Sequence, residues 1–217
     1  MIRKRIAFYG GTFDPVHCGH VTIAKRLLAL FALDEFVFLP AFHAPHKVEN
    51  KPTSAYHRFA MLALATAGEP HISISTLELD RAEKRYTVDT LPEIIERHPD
   101  TDVFFVMGAD SWTDILTWRE WEKVLLMTNH IVVTRPGYEI GFDHVSDAVR
   151  SRIVDLRNPN EAALNTIGPS IFITDAVSHD VSATEIRDDI REDDKLDREG
   201  DVPQEVAKYI EKYELYR

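Results

Sequence analysis

The sequence predicts a doubly wound α/β fold, a parallel sheet with helices on both faces. Three observations predict it. Short apolar runs alternate with helix-length amphipathic stretches along the chain, the order expected of strand–helix–strand units. The runs are nearly continuous in hydrophobicity and several are β-branched or aromatic, which suits strands buried on both faces. The chain of 217 residues is long enough for one well-buried α/β domain and marginal for two.

The candidate strands are Arg5–Tyr9, Phe36–Leu39, Ile72–Thr76, Val103–Met107, Ile131–Thr134 and Ile171–Thr174. Helical patterns fall between them at Val21–Leu33, Ala55–Ala67, Leu91–Arg97, Trp118–Met127 and Asp143–Val154. Two more follow the last strand, at Thr184–Arg191 and Gln204–Tyr213. Pro40 to Thr53 holds three prolines and little periodicity and reads as a long loop. No repeat or low-complexity linker divides the chain. Residues 1–217 are therefore expected to form a single Rossmann-like domain, with a C-terminal helical part from about residue 182.

Composition excludes several classes. Hydrophobic residues are 44% and charged residues 28%, a globular balance. No apolar run approaches the roughly 20 residues that cross a bilayer, and the apolar stretch after the charged N-terminus stops at Gly10-Gly11, too short for a secretory signal. A cytoplasmic location is expected. The net charge of −11 argues against nonspecific binding to nucleic acid or an anionic membrane. Eight acids and three bases fall within Asp188 to Asp201, which reads as a solvated helix face and loop. A single cysteine, Cys18, precludes an intrachain disulfide or a cysteine-based zinc cage, and reads as a packing residue.

In doubly wound folds ligands bind beyond the carboxyl ends of the strands, so the residues that follow each strand carry the functional argument. Strand one runs into Gly10-Gly11-Thr12-Phe13-Asp14-Pro15-Val16-His17-Cys18-Gly19-His20 and then a helix. Two glycines let backbone approach a ligand. Asp14-Pro15 favours a turn that starts a helix. His17 and His20 share one face of the first helical turn, where amide groups and the helix dipole favour an anion. The segment is neither a G-x-G-x-x-G fingerprint nor a P-loop. Read from the residues alone, the two histidines are a phosphate pair, a partly buried polar pair, or half of a zinc site that lacks an evident third ligand.

GTFDPVHCGH resembles the G-x-F-D-P-x-H-x-G-H motif of the nucleotidyltransferase superfamily. The resemblance implies a nucleotidyltransferase-type sheet and assigns His17 and His20 to the triphosphate of ATP, with Gly10, Gly11, Thr12 and Phe13 beside them. Val181 to Arg187 resembles the superfamily's I-S-S-T-x-I-R motif. Ser182 is a good N-cap there and Glu185 completes a capping box, while the resemblance gives Ser182, Thr184 and Arg187 to ATP phosphates. Ala183 departs from the common form and removes one hydroxyl.

Other segments are similar to bacterial nicotinate mononucleotide adenylyltransferases. Ala44-Pro45-His46-Lys47 resembles their proline-rich loop and makes Lys47 a mobile cation for a phosphate. Tyr86-Thr87-Val88-Asp89-Thr90-Leu91 resembles their Y-T-x-D-T-L segment. At a helix start its amides would receive a carboxylate, and Pro92 fits only within the first helical turn. Gly108 and Asp110 follow strand four, where an acid commonly binds sugar hydroxyls. Trp118 is the candidate to stack on a pyridinium ring; Trp121 reads as core. Arg119 stands where family members often carry an aromatic. Arg135, in an Arg-Pro-Gly segment, is assigned to the mononucleotide phosphate, and Val202 to Ile210 to a packing helix.

The resemblance implies transfer of AMP from ATP to nicotinate mononucleotide, giving nicotinate adenine dinucleotide and pyrophosphate in NAD biosynthesis. His17, His20 and Arg187 would be catalytic. Mg²⁺ would accompany ATP, held by phosphates and water rather than by a protein metal site. The partners implied are ATP and the mononucleotide; a homo-oligomer is compatible with the sequence. Use of nicotinamide mononucleotide, phosphopantetheine transfer and a non-catalytic nucleotide sensor remain as alternatives.

Overall fold

Alternation along the strands decides the architecture. In β1 (Lys4–Gly11), Ile6 and Phe8 join one buried cluster while Ala7 and Tyr9 join another. In β4 (Thr101–Gly108), Val103, Phe105 and Met107 side with Ile6, whereas Phe104 and Val106 side with Ala7. Successive side chains of a strand point to opposite faces, so both faces are apolar and both must be covered. The computed structural model describes residues 3–42, 52–81, 85–134, 139–157, 168–175, 181–193 and 200–217.

The seven-stranded sheet has the order β3-β2-β1-β4-β5-β7-β6, and every pairing is parallel. The remaining strands are β2 (Glu35–Pro40), β3 (Ile72–Ile74), β5 (Asn129–Val133), β6 (Ile153–Asp155) and β7 (Ile171–Thr174). On one face lie α1 (Cys18–Leu30), α2 (Ala55–Thr66), α7 (Ala183–Asp193) and α8 (Gln204–Lys212). They contribute Leu27, Met61, Ile186 and Ile210 to the core. The other face is covered by α3 (Thr87–Arg97), α4 (Ala109–Thr113), α5 (Trp121–Met127) and α6 (Asp147–Arg150), through Leu91, Trp112, Leu125 and Val149. β1 pairs with β2 on one side and β4 on the other. The strand order therefore reverses at β1/β4, and the crevice at their carboxyl ends is where such sheets bind ligands.

Four local differences from the sequence reading have physical causes. The helix expected over Asp143–Val154 is instead the short α6 followed by strand β6. Ser146 caps α6 by accepting a hydrogen bond from the Val149 amide at 3.4 Å. Ile153-Val154 then favours an extended backbone that pairs with β7. α3 begins four residues earlier than expected, at Thr87, so Pro92 lies inside the helix and not in its first turn. Proline cannot donate to the Val88 carbonyl, while inward Val88, Leu91 and Ile94 anchor the helix around it. α5 starts at Trp121, because Ile115–Thr117 forms a separate 3-10 turn ending at Trp118. α4, which periodicity did not suggest, follows Gly108 directly.

Candidate active site

A cleft of about 710 Å³ opens at the carboxyl ends of β1 and β4, within the range of small-molecule sites. It brings together residues from the glycine-rich turn after β1, the Tyr-Thr segment at the start of α3 and the chain after β4. Gly10, Gly11, Thr12 and His20 line one part; Tyr86, Thr87, Gly108, Asp110 and Trp118 line the rest.

The glycines have a packing reason as well. A Cβ on Gly10 would sit 2.8 Å from Cζ of Phe105, and one on Gly11 would sit 2.8 Å from Cζ of Phe13. Neither ring can withdraw easily, since Phe105 and Phe13 are 4% and 3% exposed. Phe13 takes φ +51°, a left-handed conformation unusual for an aromatic residue. Its ring is held edge-on by Tyr9, His20 and Phe38, at centroid distances of 5.4, 5.0 and 5.2 Å. Its side chain belongs to the interior, so Phe13 can meet a ligand only through its backbone.

His17 occupies the N-cap position of α1, and its ring stacks on His20 with centroids 3.7 Å apart. The His17 amide donates to Nδ1 of His20 at 3.3 Å. That bond leaves the neutral His20 ring its proton on Nε2, as a donor on a residue that lines the cleft. Burial, and then the neighbouring His17, hold the His20 imidazole well below its ordinary pKa. His20 is therefore a neutral hydrogen-bond donor, and not a standing positive charge, before an anion arrives.

The distal motif reaches the same cradle from α7. Ser182 immediately precedes the helix, and its carbonyl accepts from the Ile186 amide at 3.0 Å. Arg187 donates from Nη1 to the Asp14 carbonyl at 2.6 Å and from Nη2 to Oγ1 of Thr184 at 3.1 Å. One guanidinium thus ties the start of α7 to the loop after β1. Lys47 and Arg135 lie outside the described residues.

Across the cleft, Tyr86 caps α3 and Thr87 opens it. The Asp89 amide already donates to the Tyr86 carbonyl at 2.9 Å; the amides of Thr87 and Val88, earlier in the turn, have no carbonyl within the helix, so this end can accept a carboxylate. Trp118 is half-buried, packs edge-on against Phe105 at 6.4 Å and lines the cleft. Trp112 is fully buried, with its indole N–H donating to the Gly141 carbonyl at 2.9 Å, which excludes it from ring stacking. Trp121 packs half-buried against the core. Arg119 lines the cleft with its guanidinium over the Tyr86 ring at 5.4 Å and 3.8 Å from the Asp89 carboxylate. A cation stacked on Tyr86 thus stands where an aromatic wall is common.

Sequence reasoning missed Glu78 and Arg85, which also line the cleft. Glu78 accepts a 2.8 Å hydrogen bond from the Thr90 hydroxyl, and burial pushes its carboxyl above the usual range against that bond and nearby Arg85. Arg85 pairs with Glu93 at 2.9 Å and donates to the Asp89 carbonyl at 3.0 Å. Together they brace the start of α3. The only sequence signal was their position beside the Tyr-Thr segment.

A parallel sheet with a glycine-rich turn at its switch point, two stacked imidazoles beside it and an arginine from a distal helix is the arrangement expected of a nucleotidyltransferase. The cytidylyltransferase-like family model matches residues 8–189. The chain belongs to that family. Among curated relatives, a "probable nicotinate-nucleotide adenylyltransferase" of Thermoanaerobacter sp. (strain X514) is 35% identical over 98% of this chain and 94% of its own length. One of the same description from Corynebacterium glutamicum is 32% identical over 99% of this chain and 89% of its own. Among solved structures, the Plasmodium falciparum nicotinic acid mononucleotide adenylyltransferase complexed with NaAD superposes with a TM-score of 0.74. It is 21% identical, covering 98% of this chain and 97% of that one, a likeness of fold.

Proposed function

We propose that this nucleotidyltransferase joins the AMP moiety of ATP to nicotinate mononucleotide, releasing pyrophosphate and forming nicotinate adenine dinucleotide. The observation that carries the reading is one cleft with two chemically distinct ends. The His20 cradle, joined by α7, suits a triphosphate. The Tyr86–Thr87 helix start beside Trp118 suits a flat ring bearing a carboxylate. The names of the full-length relatives support the same substrates.

A phosphate oxygen of the mononucleotide attacks the α-phosphorus of ATP; the new P–O bond forms as the bond to the bridging oxygen of pyrophosphate breaks. The attacking phosphate is ionised near neutral pH, so no general base is needed. What the chain supplies is position and compensation for charge on the leaving group. His20 donates from Nε2, His17 fixes its ring, and Arg187 with Ser182 and Thr184 brings further donors. Asp110 serves the ribose hydroxyls and Trp118 stacks on the pyridinium ring. Lys47 and Arg135 are proposed to serve the mononucleotide phosphate. Mg²⁺ would accompany ATP and would be held by phosphate oxygens and water, where it would offset charge on the triphosphate.

The test is to identify the product. Mg-ATP and nicotinate mononucleotide should yield pyrophosphate and the acid dinucleotide in equal amounts by mass spectrometry. Pyrophosphate without dinucleotide, or neither, would remove the reading.

A further inference from the structure

The catalytic cradle is irregular backbone, and irregular backbone needs something to hold it. Two side chains far apart in sequence do so. Arg58, on α2, is 0% exposed and is the second largest fully buried side chain of the described residues. Its Nε donates to the Thr53 carbonyl at 2.9 Å and its Nη1 to the Thr12 carbonyl at 2.6 Å. Nη2 reaches the carbonyls of Ala41 at 2.7 Å and Phe42 at 3.2 Å. The four acceptors lie on three separate segments: the cradle after β1, the chain leaving β2, and the entry to α2. Thr12 and Ala41 themselves line the cleft.

Tyr216 acts on the next residues of the cradle from the end of the chain. Its hydroxyl donates to Oδ1 of Asp14 at 2.8 Å, while the Thr53 amide donates to Oδ2 at 3.0 Å. Asp14 is 7% exposed, so this carboxylate is directed inward. Its backbone carbonyl is the one that Arg187 grips. Burial and Asp14 raise the Tyr216 phenol, which keeps it a donor.

A buried cation is costly to desolvate. A hydrocarbon could fill the space of Arg58, but four carbonyls would lose their donor. A lysine carries three donors at one point and cannot reproduce a planar fork that reaches three segments.

We propose that Arg58 and Tyr216 are positioning residues for adenylyl transfer, holding the phosphate cradle through Thr12 and Asp14 without touching substrate. The C-terminal residues are then part of the catalytic apparatus and not only a packing segment. The inference rests on the adenylyltransferase reading. It is tested with full-length Arg58→Lys and Tyr216→Phe, assayed well below the Tm of each. Misplacement of about 1 Å costs on the order of 10²-fold. Arg58→Lys should therefore lower kcat by roughly 10- to 100-fold, and Tyr216→Phe, which loses one hydroxyl, by roughly three- to tenfold. In both, the Kd for Mg-ATP should rise at least about threefold while the mononucleotide KM stays near native. Should Arg58→Lys fail to fold, Tyr216→Phe decides the matter. A lowered Tm with native kcat and native Mg-ATP affinity would overturn the proposal. If the native protein turned over neither pyridine mononucleotide, the adenylyltransferase reading would fail, and the Mg-ATP affinities would still decide the positioning claim.

Discussion

At the scale of single residues, His20 and Trp118 carry the chemistry proposed for the two ends of the cleft. His20 is a neutral donor because the His17 amide occupies its Nδ1. Removing a donor to a developing negative charge typically costs about 10²- to 10³-fold in rate. His20→Ala is therefore expected to lose that much kcat while melting as cooperatively as the native chain; near-native turnover in a folded variant would contradict the role. Trp118 is the residue proposed to stack on the pyridinium ring, and a desolvated cation–π contact is worth up to about 2 kcal/mol. Trp118→Ala should raise the mononucleotide KM by roughly 5- to 30-fold, with the ATP KM nearly unchanged. A rise confined to ATP would move the ring elsewhere. The placement of both at the cleft was legible in the sequence, because a glycine-rich turn before a helix and a Trp after a strand are local patterns. Glu78 and Arg85 were not, since each acts by bracing α3 across a turn that no periodicity describes.

At the scale of elements, the end of β1 is where packing and function meet. The cradle glycines were read as room for a ligand, yet the rings of Phe105 and Phe13 already fill the space where each Cβ would go. Gly10→Ala should destabilise by about 1–3 kcal/mol through overpacking, read as a lower midpoint in urea. Adding Phe105→Leu should recover part of the loss; no recovery would mean that backbone conformation, and not the ring, sets the requirement. The strands of the sheet centre were legible because they are apolar on both faces. β6 was not: three residues at a sheet edge, directly after a capped turn, look like the continuation of a helix until their pairing with β7 is known. The start of α3 was hidden for a similar reason, since Pro92 argued for a later beginning than inward Val88 and Leu91 impose.

At the scale of the whole molecule, contacts distant in sequence dominate what could not be read in advance. Arg58 to Thr12 spans 46 residues and Tyr216 to Asp14 spans 202; such ties exist only once the sheet has assembled. His130 is of the same kind. It is fully buried at the start of β5, bonded through Nδ1 to the Thr128 carbonyl at 3.0 Å, and burial lowers its pKa to about 4. The folded chain therefore refuses a proton that the unfolded chain accepts below about pH 6.5. Its contribution is complete above that pH and is lost as pH falls towards 4. Between pH 7 and 5 the native protein should lose about 2 kcal/mol more stability than His130→Asn, measured by urea unfolding; equal losses would show that His130 is protonated in the fold. The central claim is that one cleft pairs a triphosphate cradle with a carboxylate-accepting helix start. It is tested most directly by kcat/KM for nicotinate and nicotinamide mononucleotide, measured in parallel as pyrophosphate release at saturating Mg-ATP. A helix start favours an anion by about 1–2 kcal/mol in a partly buried site, so the acid should be preferred by roughly 5- to 30-fold. Equal use of the two would contradict the carboxylate site at Thr87, and release with neither would contradict the assignment of the reaction itself.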